Sequence, residues 1–590
     1  MSLFLPLDYV APELWELIGY HTISSEEAFL GPPATLCALL LSCRKLNHIL
    51  SWKHNPALYA KIFARKFDIE APKRRFSQEW LTTTRLTAEL KKRFEALQRI
   101  KAKIFHPDDL WTAYLMFLEA DGNNEAQLLS FANLRSYLVA FEIQQVTQYK
   151  LLTDTETDSL ILWLMWFSND RDYVRNLDSK TFINRRLLLH VLVAVGYRYP
   201  TLHAPDKHFS IPLESHEMLV PQPGSLCPPS VEIFHYNSQL RLASPILSSS
   251  AILNLCVQAE ESHVEGTSRW RSHNDTPDGA TLDDFQEFHF QNRIFTPLPY
   301  LSSKANDQDW NRLVSCHDVH AEINPPKRSV YRLGSLSGNW GGRIFNVDYG
   351  LYMNILAGKQ SSSSACVMNN PLHWELKEHH CLFPDQPLAL GLDEDGSFDT
   401  LHAFIPRDAQ FNHTHDGLDV YNPKTGRTAR YETYFPDDAV PYSKAALKKL
   451  QRRWISDATQ GEIAEQTLES APKWLRPNSW PLSTSDFDDD EYSDPASKVR
   501  DILITGKTST RHARAWGDYS LYGRVRAWDG LVILFRFPTS PTQDGLGRHL
   551  FKGYIHDRNL VGRWRDTFTP KNMIGYEGGF VVAKTDSMHN

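Results

Sequence analysis

The chain has 590 residues, with 63 Lys and Arg against 70 Asp and Glu, a formal charge of −7. That balance gives no bulk electrostatic drive toward nucleic acid, and a 42% hydrophobic fraction with 16 Trp, 23 Tyr and 30 Phe excludes a chain disordered throughout. Seven scattered Cys without a C-x-x-C pair, no basic-then-apolar leader and no apolar run near the roughly 18–20 residues of a membrane span predict a reduced, cytoplasmic or nuclear protein with no disulfide framework and no membrane partner.

Residues 1–70 read as helical. Leu14, Ile18, Leu36, Leu39, Leu40, Cys43, Leu46 and Leu50 recur near helical spacing. Gly31-Pro32-Pro33 forces a helix start near Ala34, and Asn55-Pro56 opens another with Pro56 at its first position. A second helical region covers 77–200. Leu86, Leu90, Phe94, Leu97, Ile100 and Ile104 form one apolar face. Between 85 and 103, seven Lys and Arg stand against two Glu, predicting a basic, solvated surface. Further helices are predicted over 108–119, over 160–167 behind a Thr155/Asp158 capping box, and over 178–195. Residues 201–330 read as an irregular connecting segment, rich in Pro and Ser, with helices near 243–260 and 283–291.

From 331 onward the apolar runs shorten and turn residues multiply. Residues 516–526 alternate, Asp529-Gly530 signals a tight hairpin, and 531–537 is apolar enough for a strand covered on both faces. Strands over 550–556, 561–566 and 576–584 follow, and more lie between 333 and 435. The pattern predicts a mainly antiparallel β-barrel or sandwich over 331–590, interrupted by a six-carboxylate loop at 483–494. The fold class is therefore α+β and multi-domain, helices first and barrel last.

Catalytic signatures are missing. There is no G-x-S-x-G, P-loop, H-E-x-x-H or dinucleotide fingerprint, so no catalytic residue and no cofactor is predicted. His373, His379, His380 and Cys381, and then His402, His413 and His415, lie close together without zinc-finger spacing and read as loop histidines, with no metal. Gly341-Gly342 and Gly578-Gly579 read as turn or bulge glycines. Gly523-Arg524-Val525-Arg526 and Gly562-Arg563-Trp564-Arg565 share a Gly-Arg-x-Arg form that puts two guanidiniums on one face of each strand. Arg524, Arg526, Arg563 and Arg565, with Trp528, are thus candidates for binding an acidic or phosphorylated protein segment. The competing reading pairs these arginines with Asp529, Asp557 and Asp566 in structural ion pairs on the barrel.

The N-terminus carries a recognisable pattern. Leu5-Pro6 is followed by Pro12-Glu13-Leu14 with Ile18. Leu36, Leu39 and Leu40 lead into Ser42-Cys43-Arg44-Lys45-Leu46, and Asn55-Pro56-Ala57-Leu58-Tyr59 closes the stretch. This resembles an F-box, with a longer loop at 19–33 than most carry. With its helical middle and C-terminal barrel-like part, the layout is similar to the F-box families of mushroom-forming fungi. The resemblance implies that Leu5, Pro6, Leu14, Ile18, Leu36, Leu39, Leu40, Cys43, Leu46, Pro56, Leu58 and Tyr59 dock a Skp adaptor and, through it, a cullin. It implies a non-catalytic substrate receptor whose β-domain selects a protein substrate. The alternative is a sensor whose barrel holds a small apolar ligand, with the F-box as output or relic.

Overall fold

The computed structural model describes residues 10–23, 29–148, 155–205, 208–209, 229–262, 280–290, 292–319, 330–361, 366–382, 385–391, 403–415, 417–435, 499–540, 547–570 and 573–585. Leu5, Pro6 and the acidic loop at 483–494 fall outside them.

The N-terminal third is helical. It runs α1 (Pro12–His21), α2 (Ala34–Ser42), α3 (Arg44–Leu50), α4 (Pro56–Lys66), α5 (Glu70–Arg75), α6 (Thr83–Lys101), α7 (Pro107–Leu118), α8 (Asn123–Ala126), α9 (Leu134–Gln148), α10 (Thr155–Ser168), α11 (Arg171–Arg175) and α12 (Ser179–Ala194). The predicted starts at Ala34, Pro56 and Asp178 agree with it. Asn55 caps α4, its Oδ1 accepting from Leu58 N at 3.0 Å, and Asp178 caps α12, accepting from Thr181 N at 3.0 Å. Two details differ. α10 begins at Thr155 rather than near 160, and Ile104 lies beyond the end of α6 and is exposed.

Residues 201–330 are more than a connector. A hairpin of β1 (Ser230–His235) and β2 (Ser238–Ala243), absent from the sequence reading, pushes its tip among the helices. α13 (Leu247–Glu261) is buried almost along its whole length. It lies between α10 and α12 on one side and the outside of the barrel on the other: Trp163 donates to Ile246 O at 3.0 Å, and a Cβ at Gly579 would stand 2.8 Å from Ile252. α14 (Leu282–Phe290) and α15 (Asp307–Ser315) complete this part.

The C-terminal part contains β3 (Gly338–Val347), α16 (Tyr349–Leu356), β4 (Val367–Leu382), β5 (Gln410–His413), β6 (Gly417–Asn422), β7 (Arg427–Thr433), β8 (Val499–Lys507), α17 (Thr510–Trp516), β9 (Tyr519–Arg526), β10 (Leu531–Pro538), β11 (His549–His556), β12 (Asn559–Asp566) and β13 (Glu577–Thr585). Strands β3, β13, β12, β11, β10, β9, β8 and β4 pair antiparallel in that order, and β3 pairs with β4 to close an eight-stranded barrel. β7, β6 and β5 continue the sheet beyond β4. The strand expected from 516 starts at Tyr519, because 510–516 is a short helix. Gly341 and Gly342 lie within β3 rather than in a turn; a Cβ at Gly342 would meet Val581 O at 2.1 Å, so glycine permits the close strand approach.

Alternation along each strand decides what fills the barrel. Trp340, Ile344, Trp374, Leu534, Phe551, Trp564 and Phe580 belong to the inner cluster, so aromatic and branched side chains occupy the lumen. The outer faces are covered too. Phe345, Val347, Val561, Val581 and Ala583 join the helices in one apolar cluster that reaches back to Ile23, while Leu531, Ile533 and Phe535 pack under Leu202, Ile246 and Phe404.

Candidate partner-docking site

The F-box-like stretch is built from four short helices around a small core. Leu36, Leu50 and Leu58 are fully buried and Leu46 nearly so. Gly19 brings α1 close enough that a Cβ there would lie 3.3 Å from Leu36 and 3.5 Å from Leu50. Cys43 caps α3, its Sγ accepting from Leu46 N at 3.4 Å. Pro56 occupies the first position of α4, where its missing N–H costs nothing. Glu16 ties α1 to α4 through Lys61 Nζ at 2.9 Å and Asn55 Nδ2 at 3.3 Å. The Lys61 bond holds the Glu16 carboxyl below the usual carboxylate range. Burial pushes the Tyr59 hydroxyl up to about 12.

What remains outside this core is apolar. Leu14 is 52% exposed, Leu17 51% and Ile18 41%, at i, i+3 and i+4 on α1; Leu41 on α2 is 85% exposed. One stripe of α1 is thus hydrophobic and solvated. Isolated exposed leucines are ordinary, but a stripe at helical spacing marks a surface for another helix or groove. The residues implied as adaptor contacts therefore divide. Leu14 and Ile18 are exposed, Leu39, Leu40, Cys43, Pro56 and Tyr59 are half-buried, and Leu36, Leu46 and Leu58 belong to the core, where they support the surface rather than form it. Leu17 and Leu41 were missed by sequence reasoning. Their signal was position: Leu17 adds the i+3 member to Leu14 and Ile18.

The four guanidiniums of the Gly-Arg-x-Arg strands do not meet in one patch. Arg524 is buried against Asp501 at 2.8 Å, and Arg526 against Asp529 at 2.6 Å. Burial lowers the pKa of each, but the carboxylate beside it outweighs this and raises it. Arg563 pairs with Glu577 at 2.7 Å and donates to Val193 O at 3.1 Å, joining the barrel to α12. Arg565 donates to Thr569 O and Pro570 O and shapes the loop before β13. Trp528 is buried, with the Arg526 guanidinium over its ring at 4.8 Å. Of the acids expected to pair, only Asp529 does so among the described residues; Asp501 takes Arg524, Glu577 takes Arg563, and Arg565 bonds backbone carbonyls.

His373, His379 and His380 are interior rather than loop residues, whereas His413 and His415 are exposed and His402 lies outside the described residues. His373, His379, His380 and Cys381 lie on β4 and are buried. Burial pushes the His379 imidazole down to about 3, and its ring bridges Thr433 Oγ1 at 3.0 Å and Thr505 Oγ1 at 2.8 Å. Among the described residues no group of three His, Cys, Asp or Glu is placed to hold a metal. Ser509 Oγ, His512 and Glu287 do line up, at 2.7 Å and 3.4 Å. However, Ser509 and His512 are three residues apart across the first turn of α17, and the His512 ring lies flat on His373 at 3.6 Å. Ser509 stands at the N-cap position, but its hydroxyl meets the His512 ring rather than a backbone N–H, so this is a side-chain contact within one helical turn. No helix among the described residues is long and apolar enough to cross a membrane.

No protein-family model matches this chain, and neither a curated protein nor a solved structure matches it.

Proposed function

We propose that this protein is a substrate receptor of a Skp–cullin–F-box ubiquitin ligase. The helices at 12–66 dock the adaptor, the helical body sets its distance from the substrate, and the β-domain side selects a protein. The carrying observation is the solvated stripe Leu14, Leu17 and Ile18, next to a capped, leucine-cored helical unit with F-box spacing. A unit of about 50 residues cannot bury all its apolar surface alone, and the stripe is what such a unit leaves for a partner. The alternative, a ligand in the barrel, is disfavoured by the lumen, which side chains fill. The test is capture of a Skp-type adaptor and a cullin by the full chain. Leu14→Asp with Leu17→Asp is expected to weaken adaptor capture by at least about tenfold while leaving the unfolding midpoint unchanged, since interface anchors carry roughly 1–2 kcal/mol each or more. Undiminished capture by this variant would overturn the reading.

A further inference from the structure

Alternation along the strands also decides which side chains stand at the end of the barrel. Leu521, Leu534, Phe551 and Trp564 of β9 to β12 face the lumen. The two-residue period puts Tyr519, Arg536, His549 and Asp566 on the same face, at the end where β9 and β11 begin. Register makes them neighbours, Arg536 opposite His549 and His549 opposite Asp566. The His549 ring lies 5.1 Å from that of Trp564, so this row lies above the aromatic filling of the lumen.

Arg536 is the exception among the buried arginines. Of the others among the described residues, Arg93, Arg185, Arg312, Arg524, Arg526 and Arg563 lie 2.6–2.8 Å from a carboxylate, and Arg343 lies 3.6 Å from Glu260. Arg536 is 8% exposed and has no carboxylate within ion-pair distance among the described residues. What holds it is uncharged. Its Nη2 donates to His549 Nδ1 at 3.0 Å, and the guanidinium stands 4.1 Å over the Tyr519 ring and 5.3 Å from that of Phe551. Burial, with the guanidinium beside it, keeps the His549 imidazole well below its ordinary range, so the ring is neutral. Aromatic faces attract the cation but bring no counter-charge. Asp566 is taken by its own loop: Oδ1 accepts from Phe568 N and Thr569 N, and Oδ2 from Tyr576 N and Thr569 Oγ1. A buried charge without a counter-charge is costly. Nε of Arg536 is enclosed and unpaired; Nη1 donates to no described group, but it is not closed off from solvent.

We propose that this end of the barrel binds a carboxylate group on the Arg536 guanidinium. One unmatched positive charge calls for one negative charge. A carboxylate is planar and meets guanidinium N–H groups in their own plane through charge-assisted hydrogen bonds. His549 is a positioning residue: it holds the guanidinium through Nη2 and leaves Nη1 for the ligand. A dianion such as phosphate is disfavoured, because its second charge meets no second cation and faces Asp566 across His549. The carboxylate belongs either to a small free acid or to the carboxyl terminus of a protein chain, which present the same group. This inference does not depend on adaptor docking, and it places the ligand at the end of the barrel rather than in the filled lumen.

The test titrates acetate and acetamide separately into the full chain at neutral pH and constant ionic strength, read by ligand-observed NMR. Acetate is expected to bind saturably in the millimolar range that so small a ligand allows. Acetamide, of the same shape without the charge, should be at least about tenfold weaker. Arg536→Gln should lose the acetate preference without a lower unfolding midpoint, because it removes an uncompensated charge. Should that variant not fold, histidine-labelled wild-type chain decides: acetate, and not acetamide, should shift the His549 ring resonance. N-acetyl-trialanine with a free or an amidated end separates the sources. Binding of the free-ended peptide alone assigns the site to a chain terminus, and acetate binding without either peptide assigns it to a small acid. Absence of saturable acetate binding, equal affinity for acetamide, unchanged affinity in Arg536→Gln, or a His549 resonance that acetate does not move would each overturn the proposal.

Discussion

At His235, burial and charge pull in opposite directions. The residue sits at the hairpin tip beside Tyr236, fully enclosed by α6 and α7. Burial lowers its pKa, but Glu119 at 2.7 Å and Glu89 at 3.5 Å outweigh this, and the pKa is raised above its ordinary 6.5. Glu89 and Glu119 go the other way: burial raises them, and nearby cations, Arg93 and His235 among them, bring both below their ordinary 4.5. The signs then fix a window. The His235 term is complete below about pH 6.5 and is lost as pH rises through the raised value. The glutamate terms are complete above about 4.5 and fade as pH falls. The His235 contribution is therefore expected to appear as a difference: in denaturant unfolding of the full chain, the stability advantage of the wild type over His235→Gln shrinks as pH rises above about 6.5. The arginines make a matching case. Arg526→Ala leaves Asp529 buried and uncompensated, so it is expected to cost about 3–5 kcal/mol in a denaturant midpoint. A substitution that merely lost substrate would leave the midpoint unchanged.

The elements legible in the sequence are those fixed by neighbours along the chain. Asn55-Pro56, Asp178 and Asp529-Gly530 each set a cap or turn within a few residues, and each is where it was expected. Gly530 has φ 79° and closes the four-residue turn between the paired Arg526 and Leu531, a left-handed position that favours glycine. The β1–β2 hairpin was illegible for the same reason. Val231, Ile233 and His235 alternate, but the turn is made by Tyr236 and Asn237 at φ 48° and 51°, and a tyrosine gives no turn signal. Tertiary burial of the Tyr236 ring holds that backbone in place. The candidate docking site was half legible: helical spacing located the leucines, but only packing separates supporting ones from exposed ones. The two classes are expected to fail differently. Leu41→Asp, on a side chain already 85% solvated, should fold normally and lose adaptor capture. Leu36→Asp places a carboxylate at a fully buried position, so circular dichroism should show a loss of folded protein.

On the scale of the whole molecule, the boundary expected between a helical body and a separate barrel at 331 is bridged by shared core. Ile252 and Val193 reach Gly579, Arg563 reaches Val193 O, and Arg343 lies 3.6 Å from Glu260 of α13. A barrel cut from its helices would expose Phe345, Val347, Val561, Val581 and Ala583 and leave Arg343 and Arg563 short of partners. Gly196 shows how close the fit is, since a Cβ there would lie 1.7 Å from Arg563 Nη1. Gly196→Val should therefore loosen the barrel and the helices together. Because each side completes the apolar core of the other, unfolding one removes about 25 cal/mol per Å² of burial from its partner, and the two are coupled through the same faces. Calorimetry of the full chain is expected to give one transition in which helix and near-ultraviolet aromatic signals are lost together. A fragment spanning 331–590 should be aggregated or unfolded. Two resolved transitions, or a soluble, cooperatively folded fragment, would show that the helices only rest on the barrel.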